Sequence, residues 1–227
     1  MTMCGSDSKR VPPLEQPSLP YLCCCPEPMS RFLSQAELEA MGFASLGADV
    51  KIDRQAVFIN LDTVNLGDHC RIDAFSLISA GPEGIHIGRY VHLGASCQIF
   101  GGGGAVVLED FSCLSGRSSA YTSSMSGRLL VNSFIPNPTL PEAFRSMSQG
   151  PVILRKHSCL GCGSVVLPGV EMGFGSVAGA LTLVRKSLPE GVVICGNPPQ
   201  VLLHRNRAEL ERLEEEFFAS EWGETEV

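Results

Sequence analysis

No run of eighteen apolar residues occurs in the 227-residue chain, which excludes a membrane-spanning helix at the outset. The first thirty residues also lack a basic leader, an apolar stretch and a small-residue cleavage site, so secretion is not expected and the chain is assigned to the cytoplasm. Basic residues are few. Seventeen Lys and Arg stand against 24 Asp and Glu, and the formal charge of −7 has the wrong sign for a protein that grips a nucleic-acid backbone. Eight of those acids fall between Glu209 and Glu226, so the acidity belongs to the C-terminal tail and the body is close to neutral. The ten cysteines are scattered apart from the triplet Cys23, Cys24 and Cys25, and form neither a paired disulfide framework nor a zinc-binding pattern. Free thiols in a reducing compartment fit this usage, and no basic or amphipathic segment flanks the triplet to support its acylation.

What is present is a repeat. Residues 1–30 hold six prolines and no apolar period, and read as a disordered leader. Residues 31–45 read as a helix and connector, because Ser34 stands three before Glu37 and Leu38 and Met41 follow at helical spacing; this predicts a helix over 34–42. From Leu46 every sixth residue is apolar: Leu46, Ile52, Phe58; Leu66, Ile72, Ile78; Ile87, Leu93, Ile99; Leu108, Leu114, Ala120; Leu154, Leu160, Val166; Met172, Ala178, Val184. Glycine often follows, as at Gly47, Gly67, Gly88, Gly94, Gly161, Gly173 and Gly179, where a corner would need positive φ. A six-residue period suits neither an amphipathic helix nor a hairpin sandwich, but it suits an all-β solenoid with three short strands per coil. The register breaks after Phe58, Ile78, Ile99 and Ala120 add two, three, three and twenty-eight residues, so all four insertions leave the same corner. Six coils at the usual strand spacing make a prism about 29 Å tall. The solenoid is assigned to 46–204 with the loop 121–150 inserted, and 205–227 to a C-terminal helix, Ala208–Trp222, followed by the acidic tail. Leu210, Leu213 and Phe217 on one face of that helix are expected to pack on the prism or on a neighbour.

The array resembles the left-handed β-helix, or hexapeptide-repeat, acyltransferases, which move acetyl and related groups from coenzyme A or acyl carrier protein. The resemblance covers about residues 46–204 and is most specific in L-G-C-G-S-V-V-L-P-G-V-E-M-G and R-K-S-L-P-E-G-V-V-I-C-G-N-P-P. F-L-S-Q-A-E-L-E-A-M-G-F, Y-V-H-L-G-A-S-C-Q-I-F-G-G-G-G and N-P-T-L-P-E-A-F-R are similar to the branch that includes bacterial dTDP-4-amino-4,6-dideoxyglucose acetyltransferases and galactoside acetyltransferase-like proteins. The left-handed coil, a homotrimer of side-by-side prisms, acetyl-CoA as co-substrate and a sugar or nucleotide-sugar acceptor are what this resemblance implies. It also implies that pantetheine runs along the last coils, with backbone at Cys162, Gly179 and Ala180 and charge from Arg185 and Lys186 toward phosphate.

Acetyl transfer to an amine or hydroxyl needs a base, and histidine suits neutral pH. His204 lies beyond the last coil, His69 and His157 fall at turn positions where a solvated side chain is expected, and His86 follows an insertion. His92 occupies the sixth position of its hexapeptide, read as a corner one face from the loop, and coil counting stacks it between Arg71 and Cys113. It also matches the G-x-x-x-H segment of related sugar N-acetyltransferases, which implies a catalytic place. The galactoside enzymes carry an Asn-His pair in their loop, but 121–150 holds no histidine, which favours an amine acceptor, already nucleophilic, over a hydroxyl. Gly101–Gly104 are candidate oxyanion donors. Two other readings compete: a γ-type carbonic anhydrase, whose zinc-ligand spacing His69, His86 and His92 do not reproduce, and a non-catalytic scaffold, which would have no affinity for coenzyme A. No metal is expected.

Overall fold

The computed structural model describes residues 30–220, apart from 126–136, 138, 142, 143 and 145. Residues 1–29 of the leader and the last seven residues, which hold three of the eight C-terminal acids, therefore lie outside the described residues, as does much of the 121–150 loop. Three parallel sheets form the faces of a prism. Face I is built from Ser45–Leu46, Val64–Leu66, Ile85–Ile87, Val106–Leu108, Val152–Leu154 and Glu171–Met172. Face II follows in chain order with Lys51–Ile52, Arg71–Ile72, His92–Leu93, Cys113–Leu114, Cys159–Leu160, Val177–Ala178 and Val192–Cys195, and face III with Val57–Ile59, Leu77–Ser79, Gln98–Phe100, Ser119–Tyr121, Val165–Val166 and Leu183–Val184. Each coil visits the three faces once, and the apolar residue of every hexapeptide points to the axis. All eighteen are buried except Leu46 and Phe58 of the first coil, which are partly buried. Strand alternation is what turns a six-residue sequence period into one continuous core.

The four insertions all leave the edge between faces III and I, as the register breaks require. The glycines behave differently from the sequence-based expectation. Gly47, Gly67, Gly88, Gly94, Gly161, Gly173 and Gly179 are not in the left-handed region. They are needed because successive coils approach closely: a Cβ on Gly67 would lie 2.6 Å from the carbonyl carbon of Gly88. Positive φ falls two residues later, on Asp49, His69, Tyr90, Phe111 and His157 along edge I–II and on Phe75, Ser96, Arg117 and Leu181 along edge II–III. Each such residue costs about 1–2 kcal/mol of backbone strain.

On edge I–II that strain is offset by stacking. His69, Tyr90, Phe111 and His157 form a ladder with ring centroids 4.6, 5.0 and 5.1 Å apart. The expectation that His69 and His157 are solvated is therefore wrong; their side chains are only 10% and 12% exposed. Helix α2, Arg207–Ala219, covers the ladder, with Phe217 and Phe218 edge-on to Tyr90 and Phe111 and Glu214 Oε2 2.8 Å from His157 Nε2. At the start of the solenoid lies α1, Gln35–Met41, capped by Ser34 and Glu37 as the sequence predicts, with Leu38 fully buried. At the other end the G-N-P-P segment does not simply end the repeat, since Gln200–His204 turns back to pair antiparallel with Val192–Cys195.

Candidate active site

The outward side chains of face II form a register row, Lys51, Arg71, His92, Cys113, Cys159, Val177 and Val193. His92 thus stands between Arg71 and Cys113, as coil counting expects, but it is on a strand and not at a corner. The corner begins two residues later, at Gly94 after the inward Leu93. Its strand position leaves the imidazole half exposed on an open face.

His92 Nε2 lies 2.9 Å from Asp73 Oδ2. Burial pushes the Asp73 carboxyl up, but the hydrogen bonds from His92 and Arg71, with their charges, outweigh it and hold the group below the ordinary carboxylate range. An ionised carboxylate can only accept, so Nε2 carries the proton of the neutral ring and Nδ1 is the basic nitrogen. Asp73 is itself braced: Arg71 Nε and Arg31 Nη2 each donate to Oδ1 at 2.9 Å. Arg31 Nε also donates to Asp53 Oδ2 at 2.6 Å, and this bond is the main reason the Asp53 carboxyl is held down. The Phe32 ring lies beneath both guanidiniums, 5.2 and 5.5 Å from its centroid. Sequence reasoning missed Asp73, Asp53 and Arg31. A signal existed: Asp53 and Asp73 occupy the corner slot that is Gly94, Gly161 and Gly179 in other coils.

The residues expected to hold the cofactor divide into two groups. Cys162, Gly179 and Ala180 lie on edge II–III, where Ala74, Ala95, Gly116, Cys162 and Ala180 follow one another coil by coil, a run of small side chains. The coils there are tied by Arg117 N–H donating to Ala95 O at 2.9 Å, Gly163 N–H to Gly116 O at 3.1 Å and Leu181 N–H to Cys162 O at 2.9 Å. Arg185 and Lys186 stand at the far end of the last strand of face III, Leu183–Val184, and line a groove of ≈ 610 Å³ with Leu188, Ile194 and Pro199. One strand separates the two groups. The glycine run Gly101–Gly104 lies on edge III–I, opposite face II, and two of its donors are already engaged, Gly101 N–H with Ser79 O at 2.8 Å and Gly103 N–H with Thr122 Oγ1 at 2.9 Å. Within one chain it is not assembled with His92; only from a neighbouring copy, like the 121–150 insertion on the same edge, could it reach that side chain. His86 sits on face I, bonded to Asn65, and His204 is exposed at the end of the terminal antiparallel strand. Among the described residues no group of three or more His, Cys, Asp and Glu side chains is placed to hold a metal ion, and no helix is long and apolar enough to cross a membrane.

No family model matches the sequence. The chain is 35% identical over 193 residues to a dTDP-4-amino-4,6-dideoxy-D-glucose acyltransferase of Escherichia coli, a match that covers 85% of this chain and 98% of the relative. It superimposes with a TM-score of 0.75 and 31% identity on AntD, an N-acyltransferase from Bacillus cereus, in complex with dTDP and 3-hydroxybutyryl-CoA, covering 84% of this chain and 98% of that one. An AntD variant in complex with dTDP-4-amino-4,6-dideoxyglucose and coenzyme A gives 0.74 and 30% over the same shares.

Proposed function

The chain belongs to the hexapeptide-repeat acyltransferases, with their left-handed β-helix, and from that premise we propose that it transfers an acetyl group from acetyl-CoA to the amino group of a nucleotide-linked sugar. The observation that carries this reading is the His92–Asp73 pair, a histidine with a fixed tautomer and a free basic nitrogen on an open face. In the reaction, Nδ1 of His92 takes the proton of the acceptor amine as its nitrogen attacks the thioester carbonyl. The tetrahedral oxyanion collapses, the C–S bond breaks, and the proton passes from His92 to the departing thiolate. Asp73 stabilises the imidazolium between these steps, and Arg31, Arg71 and Asp53 hold Asp73.

The donor's pantetheine arm is assigned to edge II–III at Cys162, Gly179 and Ala180, beside the run of small side chains, and its phosphates to Arg185 and Lys186. Insertion 121–150 leaves the edge opposite face II, so a loop that closes over His92 belongs to a neighbouring copy; we assign a homotrimer on that ground. Catalysis is assigned to 46–204, with residues 1–30 dispensable, and the free thiols suit a cytoplasmic protein. An amine acceptor fits the lack of a loop histidine.

Calorimetric titration with coenzyme A and acetyl-CoA, beside a Lys186→Ala variant, tests the donor half. Saturable binding near one site per chain, weakened by the substitution, is expected. Absence of binding to either ligand would move the chain to the scaffold reading.

A further inference from the structure

Two thiols follow His92 in the outward row of face II. Cys113 and Cys159 are in register on neighbouring parallel strands, and the Cys113 thiol donates to Cys159 with the sulfurs 2.9 Å apart. Neighbouring strands lie about 4.8 Å apart, within the roughly 4.4–6.8 Å Cα separation that a disulfide spans. A bond between these sulfurs therefore needs side-chain rotation and no movement of the coils. Both are half-buried at the surface, whereas Cys70 and Cys97 are enclosed and burial pushes their thiols up. The hydrogen bond from Cys113 holds the Cys159 thiol down to about 7, aided by Ser115 and the charge of Arg205 against the effect of burial. Cys113, which keeps the shared proton, is pushed up by the same hydrogen bond and then by burial. One sulfur is thus a thiolate near neutral pH and the other a thiol within reach of it, the pairing that thiol–disulfide exchange uses.

We propose that Cys113 and Cys159 form a reversible dithiol–disulfide pair that reacts with low-molecular-weight disulfides and, when oxidised, slows acyl transfer at His92. The Cys159 thiolate attacks one sulfur of oxidised glutathione, forming a mixed disulfide and expelling one glutathione thiolate. Cys113 then loses its proton and attacks the Cys159 sulfur, which closes the Cys113–Cys159 bond and expels the second. The protein gives up two electrons and the single proton held by Cys113, and one oxidised glutathione becomes two reduced ones, which leave as thiolates and share that proton with the solvent. Oxidation draws the sulfur next to His92 toward Cys159 and removes its hydrogen, changing the shape and polarity of the surface beside the imidazole. This rate effect rests on the function proposed above; the pair itself does not.

The sequence also offers Cys162, three residues from Cys159, but that residue lies past the corner on edge II–III, while Cys113 already touches Cys159. The full-length protein is incubated with oxidised glutathione, alkylated, digested and sequenced by tandem mass spectrometry. The expected product is a Cys113–Cys159 linked peptide that dithiothreitol releases, and Cys113→Ser should instead retain glutathione on Cys159. Acetyl transfer by the oxidised wild type should fall about tenfold or more and return on reduction, while the Cys113→Ser/Cys159→Ser protein keeps its rate within about twofold under the same treatment. A Cys159–Cys162 link, or alkylation of both Cys113 and Cys159 when Cys162 has reacted, overturns the pair. A Cys113–Cys159 link with unchanged turnover overturns its effect on catalysis. If the reduced protein acetylates no amino sugar, the functional reading fails, and the linked peptide still decides the pair.

Discussion

His92 owes its place to a simple parity: in a strand whose next residue, Leu93, is buried, the residue before it faces out. Its chemistry owes more to Asp73, which fixes which nitrogen is basic. His92→Asn removes that nitrogen's role as base and should lower kcat by about 10²-fold or more, with affinity for coenzyme A unchanged. Asp73→Asn keeps the shape but lets an amide donate to Nε2, so a part of the imidazole population carries its proton on the wrong nitrogen. The rate should fall with less change in KM, and Asp73→Glu should recover part of it. Stopped-assay kinetics with acetyl-CoA and an amino-sugar nucleotide would check both, and unchanged turnover in His92→Asn would remove this residue from the chemistry. The neighbours of His92 in the row, Arg71 and Cys113, were legible from counting coils, but its place on a strand and not at a corner was not. Asp73 was not singled out, because its role depends on Arg31, forty-two residues away and outside the repeat.

Coils repeat, yet their corners are not equivalent. Ser164 at edge II–III donates to Gly179 O at 2.7 Å and accepts from Thr182 N–H at 2.9 Å. Ser158 at edge I–II is equally buried, and its hydroxyl has no partner among the described residues. Ser164→Ala should therefore cost about 1–3 kcal/mol by stranding the Thr182 N–H, while Ser158→Ala should be neutral within about 0.5 kcal/mol or stabilising. Urea melts of the two variants would separate them, and equal losses would show that both sites only fill space. The small fourth residue of the hexapeptide was readable as a pattern. Which serines are bonded was not, because that depends on small differences in how neighbouring coils sit. The aromatic ladder escaped notice for a related reason: His69, Tyr90, Phe111 and His157 differ in type and are spaced unevenly by the insertions, so only stacking reveals them as one column.

As a whole, the prism gives its three edges different work: one carries the insertions, one is sealed by α2, and one lines up the small residues Ala74, Ala95, Gly116, Cys162 and Ala180. The first of these was fixed by counting register breaks; the second required knowing where α2 lands, which its own sequence leaves open. The ends of the solenoid are distinct again. Glu37 in α1 accepts from both terminal guanidinium nitrogens of Arg54 and from the Ser34 backbone N–H, and Arg54 is the chief reason its carboxyl is pushed down to about 2 from an ordinary 4.5. A depressed carboxylate stabilises the fold fully above its unfolded value, and that contribution is lost as pH falls from about 4.5 toward 2. Hydrogen exchange in α1 should rise across that window ahead of the central coils, and Glu37→Gln should show the loosened helix already at neutral pH. Exchange that rises uniformly along the chain would argue against a separately anchored cap.

The buried Leu38 of that helix, with Leu33, Met41 and Phe43 around it, closes the first coil over Phe58. A parallel stack has no intrinsic length; any uncovered coil offers its strand edges and apolar floor to the next chain. Stripping α1 would thus not merely shorten the protein. It would leave the strand edges and apolar floor of the first coil open to one further copy, pairing two prisms end to end, while Gln200–His204 still covers the opposite end of face II.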